Sequence, residues 1–240
     1  MFARMESGGG GRRLVIQGVM ESQTPWWMED GRVCAPDWFR TQLESAEGQP
    51  LTVVLDSPGG DVSCGLAIYQ MLRERKGATR CEVIRAYSAA TLVMAGCDRG
   101  ARFMSPAGLM LIHNPSTYAS GDWREMDKTL RYLQAVKRAV LAAYTEATGK
   151  PEDDLAELMD QETCYSAEEA VAAGWADGLL PAASGQTVSL HEARQVLMQA
   201  EEQAARCRQT GAAGGENPLE HKERAEAARW AQALLAERMR

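Results

Sequence analysis

Three short segments of this sequence carry residues whose types and spacing could do chemistry together. In AYSAAT (86–91), Ser88 follows a strand-like run and precedes a helix-like one. A serine at such a junction can expose its hydroxyl, and the start of the following helix favours negative charge. A hydroxyl is a weak nucleophile, so it needs a base within hydrogen-bond reach. In LMLIHNP (109–115), His113 closes an apolar run just ahead of a proline-bounded loop. Of the three histidines only this one is so placed, since His191 and His221 fall in polar segments near the C-terminus. In SPGGDV (57–62), two consecutive glycines follow an apolar run. Lacking Cβ atoms, they let backbone N–H groups face a cavity, where such groups can hold a developing oxyanion. Each segment alone has an ordinary explanation: a helix N-cap serine, a core histidine bonded to backbone, a strand-to-helix turn. Together they point to acyl transfer by a serine activated by an imidazole.

The elements that must position these residues can be read from apolar periodicity. LVIQGVM (14–20) reads as a short strand, and Pro36 to about Leu43 as a helix opened by proline. LTVVLDS (51–57) is nearly continuous in apolar residues, as expected of a strand buried on both faces. Asp61 is an N-cap candidate for a helix carrying Leu66, Ile68, Tyr69 and Leu72. CEVIRAY (81–87) reads as a strand and SAATLVMAG (88–96) as a helix closed by Gly96. ARFMS (101–105) and GLMLIHN (108–114) read as two further strands. A long helix is expected over about 122–148, ending at Gly149, with Leu130, Leu133, Val136, Val140, Leu141 and Tyr144 as its apolar stripe. Residues 151–159 and 166–174 read as shorter helices, the second with a capping box of Ser166 and Glu169. Strand-helix alternation of this kind predicts an α/β domain with a largely parallel sheet.

Composition divides the chain into three parts. SGGGG (7–11) makes residues 1–11 a flexible lead-in. Residues 12–181 form the α/β domain, and 182–240 a helical tail. Within the tail, 188–209 and 218–239 read as helices with a hinge near 211–217. With 240 residues, 45% of them hydrophobic, one sizeable core is affordable. The net charge is −7, and the whole acidic excess lies in residues 1–181. Such a body offers no footprint for nucleic acid or an anionic membrane. Six cysteines form no CxxC pair, which argues against a zinc site or a disulfide framework and for free thiols in a reducing cytoplasm. No secretory h-region and no apolar run long enough to span a membrane is present in the sequence. No metal or cofactor is expected.

From about Leu14 to Leu180 the sequence resembles the Clp peptidase family, and most closely its phage and prophage branch. The matching segments are SPGGDV, GLAIYQ (65–70), YSAAT with LVMAG, LMLIHNP, YTEATGK (144–150) and LMDQETCYSAEEAVAAGWAD (158–177), in the family's order and spacing. The resemblance implies the ClpP/crotonase-like fold with a long protruding helix, to which the tail is an addition. It implies that Ser88 is the nucleophile and His113 the general base, with Gly60 and Ala89 supplying the backbone N–H groups of an oxyanion hole. The family places an aspartate just before the segment that here reads TCYSAEEA; Glu162 falls there, with Asp160 the alternative. Tyr87 stands where the family tends to have alanine, and the N-terminal segment has no obvious match to the loops that meet an unfoldase.

The resemblance also implies a heptameric ring, single or stacked in pairs, in which the long helix and its preceding loop make ring-to-ring contacts. Four functions follow. The first is a self-compartmentalised serine endopeptidase that cuts scaffold or capsid precursor in phage head maturation, in the bacterial host cytoplasm or the procapsid. The second is a proteolytic subunit working with an AAA+ unfoldase on cytoplasmic substrates. The third is a crotonase-like enzyme acting on acyl-CoA, which would not need Ser88. The fourth is a non-catalytic structural ring.

Overall fold

Alternating and continuous apolar runs assemble into one seven-stranded sheet. The computed structural model describes residues 2–8, 11–22 and 35–181, so the expected helical tail lies outside the described residues. The strands are β1 (Phe2–Gly8), β2 (Gly11–Gln17), β3 (Leu51–Ser57), β4 (Thr79–Tyr87), β5 (Arg102–Leu111), β6 (Cys164–Ser166) and β7 (Gly178–Leu179). The order is β1-β2-β3-β4-β5-β6, with β7 also paired to β5. Strands β2 to β5 run parallel, while β1 and β6 are antiparallel to their neighbours. The mixed α/β fold with a largely parallel sheet is thus the one expected.

Helices α1 (Pro36–Ser45), α2 (Val62–Glu74), α3 (Ala90–Gly96), α4 (Trp123–Thr148), α5 (Glu152–Asp160) and α6 (Ala167–Ala172) follow the strands. Leu14, Ile16, Val53, Leu55 and Val83 on the sheet are wholly buried with Phe39, Ile68 and Leu92 from α1, α2 and α3. Alternate residues of the same strands carry ion pairs, Arg13 and Arg80 with Glu82, and Arg85 with Asp56. The continuous apolar run of β3 is explained by Val54, which is buried on that second face too.

Three local readings are corrected. Residues 1–11 were expected to be a flexible lead-in, yet Phe2–Gly8 form β1. Ala3 is buried and Met5 packs on the core, whereas Arg4 and Glu6 pair with each other, a period-two pattern that the neighbouring glycines obscure. The two strands expected around residues 101–114 are one strand, β5. Its register with β4 passes from Val83↔Met104 to Arg85↔Leu109, so Pro106 and Gly108 mark a bulge and not a turn. The helix expected to start at Ser88 starts at Ala90, which leaves Ser88 and Ala89 in the connecting turn. Strand β6 was not anticipated, because three residues carry no readable period.

Helix α4 has two regimes. Val140, Leu141 and Tyr144 of its expected stripe are buried, Leu133 and Val136 are half-buried, and Leu130 is exposed along with Trp123, Met126 and Tyr132. The capping box at α6 is formed: the Ser166 hydroxyl accepts from the Glu169 N–H, and the Glu169 carboxylate accepts from the Ser166 N–H. Replacing Ser166 by alanine removes half of this box and should cost about 1 kcal/mol in a urea denaturation series.

Candidate active site

Because β4 and β5 are parallel neighbours, their C-terminal ends emerge at the same edge of the sheet. Ser88 directly follows β4, and His113 comes two residues after β5. The Ser88 N–H donates to the Leu111 carbonyl at 2.8 Å, which fastens the serine turn to the strand that delivers the histidine. His113 Nε2 lies 2.8 Å from Ser88 Oγ. For Nε2 to accept the hydroxyl proton, the ring must carry its own proton on Nδ1.

Ser88 sits at φ 54, in the left-handed region that non-glycine residues rarely enter. Its carbonyl accepts from the Thr91 N–H at 3.0 Å and from the Thr91 hydroxyl, which is in turn bonded to the Tyr144 phenol. Tyr144 reaches in from α4, and its ring meets Trp175 edge-on at 5.0 Å. Burial pushes the Tyr144 phenol up to about 12, against a smaller opposing effect of the Thr91 bond.

The glycine pair closes the other side. The Ser57 hydroxyl donates to the Gly18 carbonyl at 2.6 Å and accepts from the Gly59 N–H at 3.1 Å. A Cβ on Gly59 would stand 2.8 Å from Ser88 Cβ, and one on Gly60 would stand 2.2 Å from the Met20 carbonyl oxygen. Only glycine fits between the serine turn and Met20, and φ values of 90 and 139 enforce the same choice. The Gly60 and Ala89 N–H groups have no acceptor among the described residues. Gly60, Ala89, Ser88 and His113 line one cleft of about 220 Å³, whose far wall is apolar with Leu92, Leu133, Val136 and Val140.

The two candidate acids are not in this cleft. Asp160 accepts from Asn114 Nδ2 at 2.7 Å and from Lys137 Nζ at 2.6 Å, and these bonds, Lys137 first, hold its carboxyl below the usual range. It thus anchors the residue after His113 and not the imidazole. Glu162 is exposed, and no hydrogen bond joins its side chain to His113 among the described residues. Its backbone is unusual. At φ 50 it is the only described non-glycine residue besides Ser88 with positive φ. It occupies the position after the cap of α5, with the Thr163 N–H bonded to the Leu158 carbonyl and its own N–H to that of Met159. That is a Schellman ending, where glycine is the usual choice. The same ending leads to Thr163, just before β6, and the Thr163 carbonyl accepts from the N–H of Ile112 beside His113.

Sequence reading missed Thr91 and Tyr144. Thr91 lay inside the quoted YSAAT, but its partner is 53 residues away and no local pattern joins them.

A serine hydroxyl held against an imidazole, in a cleft at the strand ends of a mixed α/β sheet, is the arrangement of a serine peptidase. Residues 41–183 match the model of the Clp protease family. Over 139 residues the chain is 30% identical to the ATP-dependent Clp protease proteolytic subunit 1 of Chlamydia caviae, covering 57% of this chain and 73% of the relative. It is 31% identical over 132 residues to an ATP-dependent Clp protease proteolytic subunit of Chlorella vulgaris, covering 55% and 66%. The chain belongs to the Clp protease family and is a ClpP-like serine peptidase.

Two stability predictions follow from this geometry. Glu162→Gly relieves a left-handed side chain and should stabilise the fold by about 1 kcal/mol in chemical denaturation. Tyr69, buried and bonded to Glu146, is like Tyr144 raised from 10.0 to about 12. Raised acids stabilise the folded chain fully below pH 10, and that contribution is lost as pH rises through about 12, because the unfolded chain ionises first. The denaturation midpoint should therefore fall between those limits, and fall less in Tyr144→Phe.

Proposed function

We propose that this chain is an endopeptidase in which Ser88 is the nucleophile, His113 the general base, and the Gly60 and Ala89 N–H groups the oxyanion donors. The observation that carries this reading is the 2.8 Å contact between Ser88 Oγ and His113 Nε2. His113 takes the hydroxyl proton as Oγ attacks the peptide carbonyl. The tetrahedral oxyanion is held by the two N–H groups, and His113 returns the proton to the leaving amine. Water activated by the same imidazole then releases the acyl group. Glu162 is the proposed third member. Its support is the family position together with a left-handed backbone held at the cost of an easier glycine.

The proposed setting is a heptameric ring, in a bacterial host cytoplasm or phage procapsid, that cuts scaffold or capsid precursor. Of the helices among the described residues, none is long and apolar enough to cross a membrane. A second setting, beside an AAA+ unfoldase, is favoured by the names of the relatives, which are subunits of ATP-dependent proteases.

A fluorophosphonate probe should label Ser88 in the purified protein, and His113→Ala should slow labelling by about 10²-fold or more. Equal labelling of that variant would remove the imidazole from the mechanism. Glu162→Gly should lower kcat while raising stability; full activity would leave a Ser-His pair without a third side chain. Degradation of an unfolded chain without ATP separates the first setting from the second, and a native mass measurement tests the ring.

A further inference from the structure

We propose that Tyr144 and Thr91 form a positioning relay that sets the plane of the Ser88–Ala89 peptide and thereby aims the Ala89 N–H into the cleft. The inference rests on the reading of Ser88 as nucleophile and of the Ala89 N–H as oxyanion donor. It assigns a function to two buried hydroxyls that the acid–base chemistry itself does not use.

Three observations carry it. First, the Thr91 hydroxyl donates to the Ser88 carbonyl, and the Thr91 N–H bonds the same oxygen at 3.0 Å. The peptide that follows Ser88 is trans, since the chain has no cis bonds among its described residues. In a planar trans peptide the C=O and N–H point in opposite directions. Holding the Ser88 carbonyl inward therefore turns the Ala89 N–H outward, towards the side on which Ser88, His113 and Gly60 line the cleft. Second, the proton order is fixed. Thr91 has one hydroxyl proton and gives it to the Ser88 carbonyl, so the Tyr144 phenol must donate to Thr91 Oγ1. The reverse order would leave lone pairs facing each other. The resulting chain, Tyr144 to Thr91 to the Ser88 carbonyl, polarises the peptide and strengthens its N–H as a donor. Third, the relay is rigid. Tyr144 and Thr91 are only 2% and 1% exposed, and the Tyr144 ring is braced edge-on by Trp175. The phenol stays protonated through the neutral range, so the donor is permanent.

The relay also accounts for how Ser88 keeps its left-handed backbone. Its N–H is tied to Leu111 and its carbonyl to Thr91, so both flanking peptides are held. Helix α4 thus contributes to the chemistry through Tyr144 without touching substrate at the reacting atoms.

The test uses the full chain with Tyr144→Phe, Thr91→Val and the hydroxyl-preserving Thr91→Ser. Peptide hydrolysis is measured together with inhibition by a peptide aldehyde and by the matching peptide alcohol. The aldehyde forms a hemiacetal whose oxygen needs the oxyanion donors, and the alcohol does not. Tyr144→Phe and Thr91→Val should each lower kcat by about tenfold with little change in KM, as the loss of one supporting hydrogen bond predicts. The aldehyde inhibition constant should rise by a similar factor, with that of the alcohol unchanged. Thr91→Ser should recover most of the loss, and the inflection of the pH–rate profile should not move, because His113 is untouched. Should Tyr144→Phe fail to fold, the Thr91→Val and Thr91→Ser pair carries the same comparison. Normal kcat and aldehyde inhibition in the hydroxyl-deleted variants would overturn the relay alone, and so would equal weakening of aldehyde and alcohol. A wild-type chain that is not acylated at Ser88 would overturn the relay and the reading beneath it together.

Discussion

The N–H of Ser88 donates to the carbonyl of Leu111, and the rest of the site depends on that bond. It is the last rung between β4 and β5, placed just where β4 gives way to the serine turn. Parallel pairing brings the ends of both strands to one edge, but pairing alone would leave the turn free to rotate. Fixing the Ser88 amide to β5 sets the hydroxyl at a defined height above the strand that carries His113 two residues further on. The 2.8 Å contact between hydroxyl and imidazole follows from this fastening.

Strain is concentrated where the chemistry is proposed to occur. Ser88 and Glu162 are the two described side-chain-bearing residues in the left-handed region, and each is over-determined by its surroundings. Ser88 is held through Leu111 and Thr91, and Glu162 through the Schellman bonds that end α5. Both are tied to the end of β5 and the residue after it, because Leu111 accepts from Ser88 and Ile112 donates to Thr163, the neighbour of Glu162. A glutamate where glycine would be easier is a local conflict of the kind expected at a functional site.

Helix α4 divides its length between two tasks. Its C-terminal half buries Val140, Leu141 and Tyr144 against the core, and its middle, from Leu133 to Val140, lines the cleft. Its N-terminal half exposes Trp123, Leu130 and Tyr132. Lys137, near the boundary, joins Asp160 and through it Asn114, so the loop after His113 is pinned to both α4 and α5.

The sequence by itself determined most of the elements and singled out Ser88 and His113, the pair proposed to react. Leu51–Ser57 is nearly continuous in apolar residues, and SPGG, YSAAT and LIHNP stand at the ends of β3, β4 and β5, so these segments, in the order and spacing of the family they resemble, sufficed to bring Ser88, His113 and Gly60 together. It also showed the α/β alternation and the capping box of α6. It misread β1 and β5, because glycine and proline signal turns whether the chain reverses or only bulges. Tertiary structure alone decided the remainder. Asp160 turned towards Lys137 and Asn114, and Tyr144 reached Thr91 from 53 residues away. These are contacts between elements, fixed by how α4 packs against α3 and α5. No periodicity within either element encodes which partner its polar groups will meet.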